Sequence, residues 1–255
     1  MTRHTPAEII LKRLGITDPR EIDLEAIAWH LGVRVRYRPL DRCEARIIGY
    51  GDSAVITVNS RSGRRRKRFS IGHELGHWHH DRGHLLFCGA DDIGRAAPGS
   101  LSRERLADRF AGNLLMPEYL LRPVAARHRR LDFAAVRAIS DAFATSATAT
   151  AIRLVDARYF LGCLICHGPQ GRKWFARSPD VPERWFPRSD LAADSFAFNV
   201  LHAGAEEDSY PRKIGADAWF DRWEADRYEV HEQTIRPAAD EVLTLVRIDD
   251  DAMLA

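Results

Sequence analysis

The sequence predicts an α+β fold. Three observations carry that prediction. Apolar residues recur at helical spacing over residues 5–31, 64–81 and 100–154. Alternating or β-branched runs at 33–36, 45–50 and 54–58 mark a small sheet near the front of the chain. After Asp156 the texture changes from alanine-rich and helical to strand-like. These changes divide the 255 residues into 1–125, a helical segment 126–156 and a small α+β region 157–255.

Ile9, Ile10 and Leu14 give residues 5–15 an apolar helical face, which Asp18-Pro19 breaks. Asp23 is placed to cap a second helix, Leu24 to Leu31, which Gly32 ends. Val33 and Val35 alternate with Arg34 and Arg36 as in a strand. Ala45 to Tyr50 and Ala54 to Val58 then form a hairpin around Gly51-Asp52. A long helix is expected from Arg64 to about Asp81–Gly83, followed by a loop from His84 to Ser100. Ser100 or Ser102 is placed to cap the next helix, whose apolar face is Leu106, Phe110, Leu114 and Leu115 and which ends at Met116-Pro117. Helices at Phe133–Phe143 and Ser146–Leu154 flank Ala144-Thr145. Strands are expected at Tyr159–Cys166, Arg172–Ala176, Tyr228–Ile235 and Val242–Ile248.

Composition excludes several classes. Hydrophobic residues make up 45% and charged residues 29%, as in an ordinary globular protein. A net charge of +2 gives no global field toward nucleic acid or membrane. No apolar run reaches the length of about 18 residues that a membrane helix needs. The start, MTRHTPAEIILKRLGI, lacks the apolar stretch and cleavage site of an export signal, so a cytoplasmic location is expected. Cys43, Cys88, Cys163 and Cys166 are accordingly expected as free thiols.

The chemistry is concentrated in Phe69–His80, FSIGHELGHWHH, which contains an HExxH pattern. On a helix His73 and His77 lie one turn apart and point the same way, so two imidazoles can grip one zinc ion. Glu74 lies about 100° round from His73 and about 60° from His77, close enough to take a proton from a metal-bound water. Catalytic zinc takes three protein ligands, so a third is required. HExxHxxGxxH fails in register, because the chain has His80 and Gly83 where that pattern needs Gly and His, with His84 one place late. His80 sits one turn beyond His77, roughly 10 Å from His73, too far for bonds of about 2 Å to a shared ion. His79, His80 and His84 are therefore expected in solvent or behind the ligands. Glu104 and Asp108 share a face of the following helix. Glu104 suits the third ligand, and Asp108 suits the outer N–H of a ligand histidine; a lone Glu104 could equally be a favourable charge near a helix N-terminus.

Arg68–His77 followed by Glu104-Arg105-Leu106-Ala107-Asp108-Arg109-Phe110-Ala111-Gly112-Asn113-Leu114-Leu115-Met116-Pro117 resembles the ImmA/IrrE metallopeptidases. The likeness covers about residues 20–120, and two separated motifs carry it. It implies a gluzincin-like, zincin-type α+β peptidase domain over 1–125 and zinc held by His73, His77 and Glu104; by donor chemistry two imidazoles and a carboxylate suit zinc, with manganese the alternative metal. It also implies Glu74 as catalytic base and a protein substrate. Members act in bacterial and phage regulation, some through cleavage or inactivation of helix-turn-helix repressors in mobile-element induction or DNA-damage responses. Leu106 stands where many members carry a second glutamate, and Ser70 where threonine is usual. Residues 126–156 resemble the helix-turn-helix-like segment that follows the peptidase domain. They are expected to serve packing or docking, since Arg137 and Arg153 are few basic residues for a DNA reader. Region 157–255 is expected to regulate or to bind substrate.

Two further signals have plain readings. Cys163-Leu164-Ile165-Cys166-His167 spells a haem-attachment pattern, but on a strand the two cysteines point to opposite faces. Arg61–Arg68 is a basic run that could contact nucleic acid, an acidic protein segment or only solvent. Trp174, Trp185, Trp219 and Trp223 are expected in the core of the last region. The rival to an enzyme is a non-proteolytic regulator that binds a repressor or toxin, antitoxin-like. A weaker rival is a nucleic-acid-binding factor acting through Arg61–Arg68.

Overall fold

The computed structural model describes residues 4–81, 86–87 and 100–255. Cys88, His84 and most of the expected 84–100 loop lie outside the described residues. In chain order the elements are α1 (Pro6–Arg13), α2 (Leu24–His30), β1 (Val33–Arg38), β2 (Ala45–Tyr50), β3 (Ser53–Asn59), α3 (Arg64–Asp81), β4 (Leu86–Phe87), α4 (Ser100–Leu115), α5 (Glu118–Ala125), α6 (Phe133–Phe143), α7 (Ala147–Asp156), β5 (Gly162–Gly168), β6 (Gly171–Arg177), α8 (Phe196–His202), β7 (Arg212–Gly215), β8 (Glu229–Ala238), β9 (Glu241–Arg247) and α9 (Asp251–Leu254). The fold is α+β, with two sheets. No helix among the described residues is long and apolar enough to cross a membrane.

Two compact units are formed. One comprises residues 1–124 with 140–146, the other 125–139 with 147–255. In the first, a four-stranded sheet has the order β1-β3-β2-β4, with β1 parallel to β3 and the other pairs antiparallel. Thr5 and Glu8 form a reciprocal capping box at the start of α1. Glu8 also accepts the Glu118 N–H at 2.7 Å, tying α5 to α1. Asp23 caps α2 through the amides of Glu25 and Ala26, at 2.9 and 3.1 Å. Gly32 follows at a φ of 79°, and a side chain there would meet the Asp52 carbonyl oxygen at 2.5 Å, so only glycine fits. The hairpin turns at Gly51-Asp52 as expected.

α3 crosses the sheet with Ile71, Leu75 and Trp78 buried beneath it. Burying each such side chain is worth about 1.5–3 kcal/mol. Trp78 rests against Gly49, where a Cβ would lie 2.7 Å from the indole, and its ring N–H donates to the Leu31 carbonyl at 3.0 Å. These contacts fix both the height and the rotation of the helix over the sheet.

The second unit has the antiparallel order β6-β5-β9-β8-β7. Trp185, Trp219, Phe220, Val230 and Val246 centre the core on one side of this sheet. Val136, Leu154 and Val155 of α6 and α7 meet Leu245 on the other. β5 is buried along its whole length.

Several expectations need correction. α4 already includes Ser100, so Ser102 lies inside the helix and does not cap it. α5 has no counterpart among the expected elements, and it carries Pro123 within it. The strand expected from Tyr159 starts at Gly162. The cause is the end of α7: Arg158 takes a φ of 65°, its N–H reaches Val155 O at 3.1 Å, and the Tyr159 N–H reaches Leu154 O at 2.9 Å. This is the paired closure usually built with glycine. Trp223 is 72% exposed, so the tryptophan core is Trp185 and Trp219. α8 and β7 have no counterpart among the expected elements.

Candidate metal centre

α3 and α4 pack against each other through their smallest residues. A Cβ on Gly76 would lie 2.7 Å from Ala107 Cα, and one on Gly72 would lie 3.4 Å from Ala111 Cα. Ala107 and Ala111 are fully buried. Each glycine immediately precedes a histidine of the HExxH pattern, so the points of closest approach lie beside the donors. Glu104 and Asp108 are on the α4 face turned toward α3.

The donors converge. His73 Nε2 and His77 Nε2 are 3.1 Å apart. Glu104 Oε2 is 3.2 Å from His73 Nε2, and Glu104 Oε1 is 3.3 Å from His77 Nε2. Among the described residues this is the group of donors able to hold one metal ion, with all ligand atoms within 4.8 Å of one another. Tetrahedral bonds of about 2.0–2.1 Å put ligand atoms about 3.3 Å apart, so the triangle has the edges of a zinc site. Two neutral imidazoles and one carboxylate also suit that metal chemically.

The surroundings tune the donors. Asp108 Oδ1 lies 2.8 Å from His73 Nδ1. With the proton on Nδ1, that carboxylate accepts it and leaves the Nε2 lone pair facing the triangle. Burial pushes the His73 pKa down, but the hydrogen bond and charge of Asp108, with the charges of Glu74 and Glu104, outweigh it and raise the value. His77 is 4% exposed, and burial together with the His73 charge lowers its pKa, favouring the neutral ligand form. Glu74 is 5% exposed, and among the described residues its Oε2 has no hydrogen-bond partner. Burial raises its pKa to about 7; the His73 charge opposes this and the Glu104 charge adds to it. A buried acid oxygen left without a partner costs folding energy and is available to a reacting proton.

His79 and His80 are exposed and lie outside the triangle; His79 stacks on Phe110 with ring centroids 5.1 Å apart. Leu106 is 42% exposed. The basic run is largely paired: Arg61 with Asp41 at 3.1 Å, Arg66 with Glu44 at 3.9 Å, and Arg65 with Asp141. Cys163 and Cys166 are buried free thiols, which burial pushes up to about 12 and about 11. Cys163 joins the apolar core.

The family model of the IrrE N-terminal-like domain, peptidase M78, matches residues 28–155. The chain belongs to this family. No curated protein matches it. Among solved structures, a Mycobacterium tuberculosis transcriptional regulator superposes over 97% of this chain and 88% of that chain, with a TM-score of 0.63 and 15% identity. At that identity the likeness shows a shared fold. Membership of the peptidase M78 family supports a peptidase with a protein substrate, and the possible His-His-Glu metal site is in keeping with it.

Sequence reasoning overlooked the glycine–alanine contact that brings Glu104 within reach. Its signal was present as two small residues four apart in each helix, Gly72/Gly76 and Ala107/Ala111. Reasoning from the sequence also left open which histidine meets Asp108, because that depends on how α3 and α4 cross.

Proposed function

We propose that this chain is a zinc-dependent endopeptidase, with a helix-turn-helix transcriptional repressor as its substrate. His73, His77 and Glu104 hold the metal, and Glu74 is the catalytic base. The observation that carries the reading is the donor triangle of 3.1–3.3 Å beside a buried carboxylate with one bare oxygen. When bound, zinc supplies Lewis-acid polarisation of the scissile carbonyl and lowers the pKa of water. Glu74 takes a proton from the attacking water as its oxygen bonds to the carbonyl carbon, then passes that proton to the amine as the C–N bond breaks. Asp108 holds the His73 ring in one tautomer and orientation. The substrate class is supported by family membership and by the transcriptional regulator that shares the fold. A DNA-bound substrate places the reaction in the cytoplasm. Residues 157–255, which contribute no donor, serve substrate binding or regulation.

The test pairs metal analysis with cleavage. The purified chain, loaded with zinc, is incubated with a proteome-derived peptide library and with any helix-turn-helix repressor found encoded beside its gene. New N-termini are read by mass spectrometry. About one zinc per chain is expected, together with cleavage that Glu74→Gln abolishes while keeping the metal. If the parent cuts nothing, or Glu74→Gln cuts as well as the parent, the enzyme reading fails and a non-proteolytic regulator that binds a repressor or toxin replaces it.

A further inference from the structure

The sheet of the first unit has two unlike faces. Val33, Ile47, Ala54, Ile56 and Val58 point inward and are buried. Residues alternate along a strand, so Arg34, Arg36 and Arg38 of β1 and Arg46, Ile48 and Tyr50 of β2 point outward. The register arranges them in rows: Arg36 stands opposite Thr57, which stands opposite Arg46, and the next row is Arg34, Val55 and Ile48.

This face differs from the basic run at the start of α3, where Arg61, Arg65 and Arg66 each meet an acid. Among the described residues no carboxylate pairs with Arg34, Arg36, Arg38 or Arg46. Arg34 lies over the Trp29 ring at 5.6 Å, and Arg38 reaches only the Tyr37 carbonyl, at 3.4 Å. Two large aromatics stand at the margins of the face, with Trp29 68% and Tyr50 77% exposed. Four cations without counter-charges repel one another, and exposed rings carry a hydration cost. A partner that relieves both must offer regular negative charge and flat apolar faces.

We propose that this outer sheet face binds single-stranded nucleic acid, with phosphates on the arginines and bases stacked on Tyr50 and Trp29. The arginines of β1 recur every two residues, about 6.6 Å apart, a regular ladder suited to a repeating polyanion. An acidic peptide would satisfy the charges but leave the rings without a role. A base offers a π face to either ring whatever the sequence, and stacking is the main sequence-tolerant attraction in such sites. The surface is separate from the donor triangle and from the proposed proteolysis.

Fluorescence anisotropy with a labelled oligothymidylate of about 15 nucleotides tests the proposal on the full chain. Binding should weaken steeply between about 50 and 200 mM salt. The double variant Arg36→Ala/Arg46→Ala should lower the slope of log K against log salt by about 1.4, or about 0.7 for each phosphate that no longer meets an arginine. Tyr50→Ala should weaken binding about tenfold. Arg61→Ala, in the paired run, should leave it unchanged. All four positions are exposed, and circular dichroism checks that each variant keeps the fold. The proposal is overturned if the parent does not bind the oligonucleotide. It is equally overturned if the double variant binds with the parent's salt slope, or if a polyglutamate peptide displaces the oligonucleotide at lower concentration.

Discussion

Glu74 in α3 and Glu232 in β8 are both buried carboxylates whose pKa values burial raises. The two units treat them differently. Glu232 has every oxygen occupied: Oε1 accepts the Ala197 amide at 2.6 Å and the Thr234 hydroxyl at 3.3 Å, and Oε2 accepts the Trp219 ring N–H at 2.9 Å. It fastens the start of α8 and one core tryptophan to the sheet. Among the described residues Glu74 keeps one oxygen without a partner. A satisfied buried acid is a structural clamp, whereas an unsatisfied one stores a cost that folding elsewhere must offset. Glu232 spends its oxygens on the fold, and Glu74 leaves one open for chemistry.

The sharpest way to break this comparison is to make the same change in both acids. Glu74→Gln should cut peptide hydrolysis by about a thousandfold while leaving the melting temperature nearly unchanged. Glu232→Gln should do the reverse, costing about 1–3 kcal/mol of stability because an amide NH2 would then confront another donor, with turnover per folded molecule intact. Urea titration and kinetics on both variants decide it. Equal effects of the two changes on activity would remove the distinction.

Glu104→Ala removes one corner of the donor triangle. Its effect on zinc affinity should exceed the roughly 100-fold ceiling seen for residues behind the ligands, as measured by competition with a chromophoric chelator. Unchanged affinity would show that Glu104 is only a surface charge.

His167 gives the second unit its own pH signature. Burial, with the Arg172 charge adding, depresses its pKa to about 4. The unfolded chain takes up this proton near pH 6.5, whereas the native chain does so only near pH 4. The native state is therefore relatively destabilised as pH falls through that window. At about 1.4 kcal/mol per pH unit the loss approaches about 3 kcal/mol at pH 4. Parent and His167→Leu should diverge in stability as pH falls from 7 to 4, and parallel curves would refute the assignment.

Gly76→Ala should cost about 1–3 kcal/mol, because the new methyl would press on the Ala107 backbone. It should weaken zinc binding as well, by moving Glu104 away from the histidines. Gly63→Ala is the control, since nothing lies within 4 Å of a Cβ there.

Local signals made much of the first unit legible. Asp23 announced its helix through a side-chain cap, Gly51-Asp52 its hairpin through turn chemistry, and His73, Glu74 and His77 their shared face through helical spacing. Where a local rule was broken, reading failed. Arg158 ends α7 in a conformation that glycine normally supplies, and Pro123 sits inside α5. The bare oxygen of Glu74, the pairing of Asp108 with His73 and the close approach at Gly76 depend on what lies across from each residue in space. Spacing along one helix carries no record of that.

The unit that holds the donor triangle is discontinuous along the chain, since residues 140–146 belong to it while 125–139 do not. Within it Asp141 pairs with Arg65 at the start of α3, and the Thr145 hydroxyl lies 3.7 Å from Met116 Sδ. A gene fragment ending after residue 125 would encode every proposed ligand and the proposed base, yet omit this segment. A fragment that keeps this unit whole has to run at least to residue 146, and so takes in α6 although the first half of that helix belongs to the other unit.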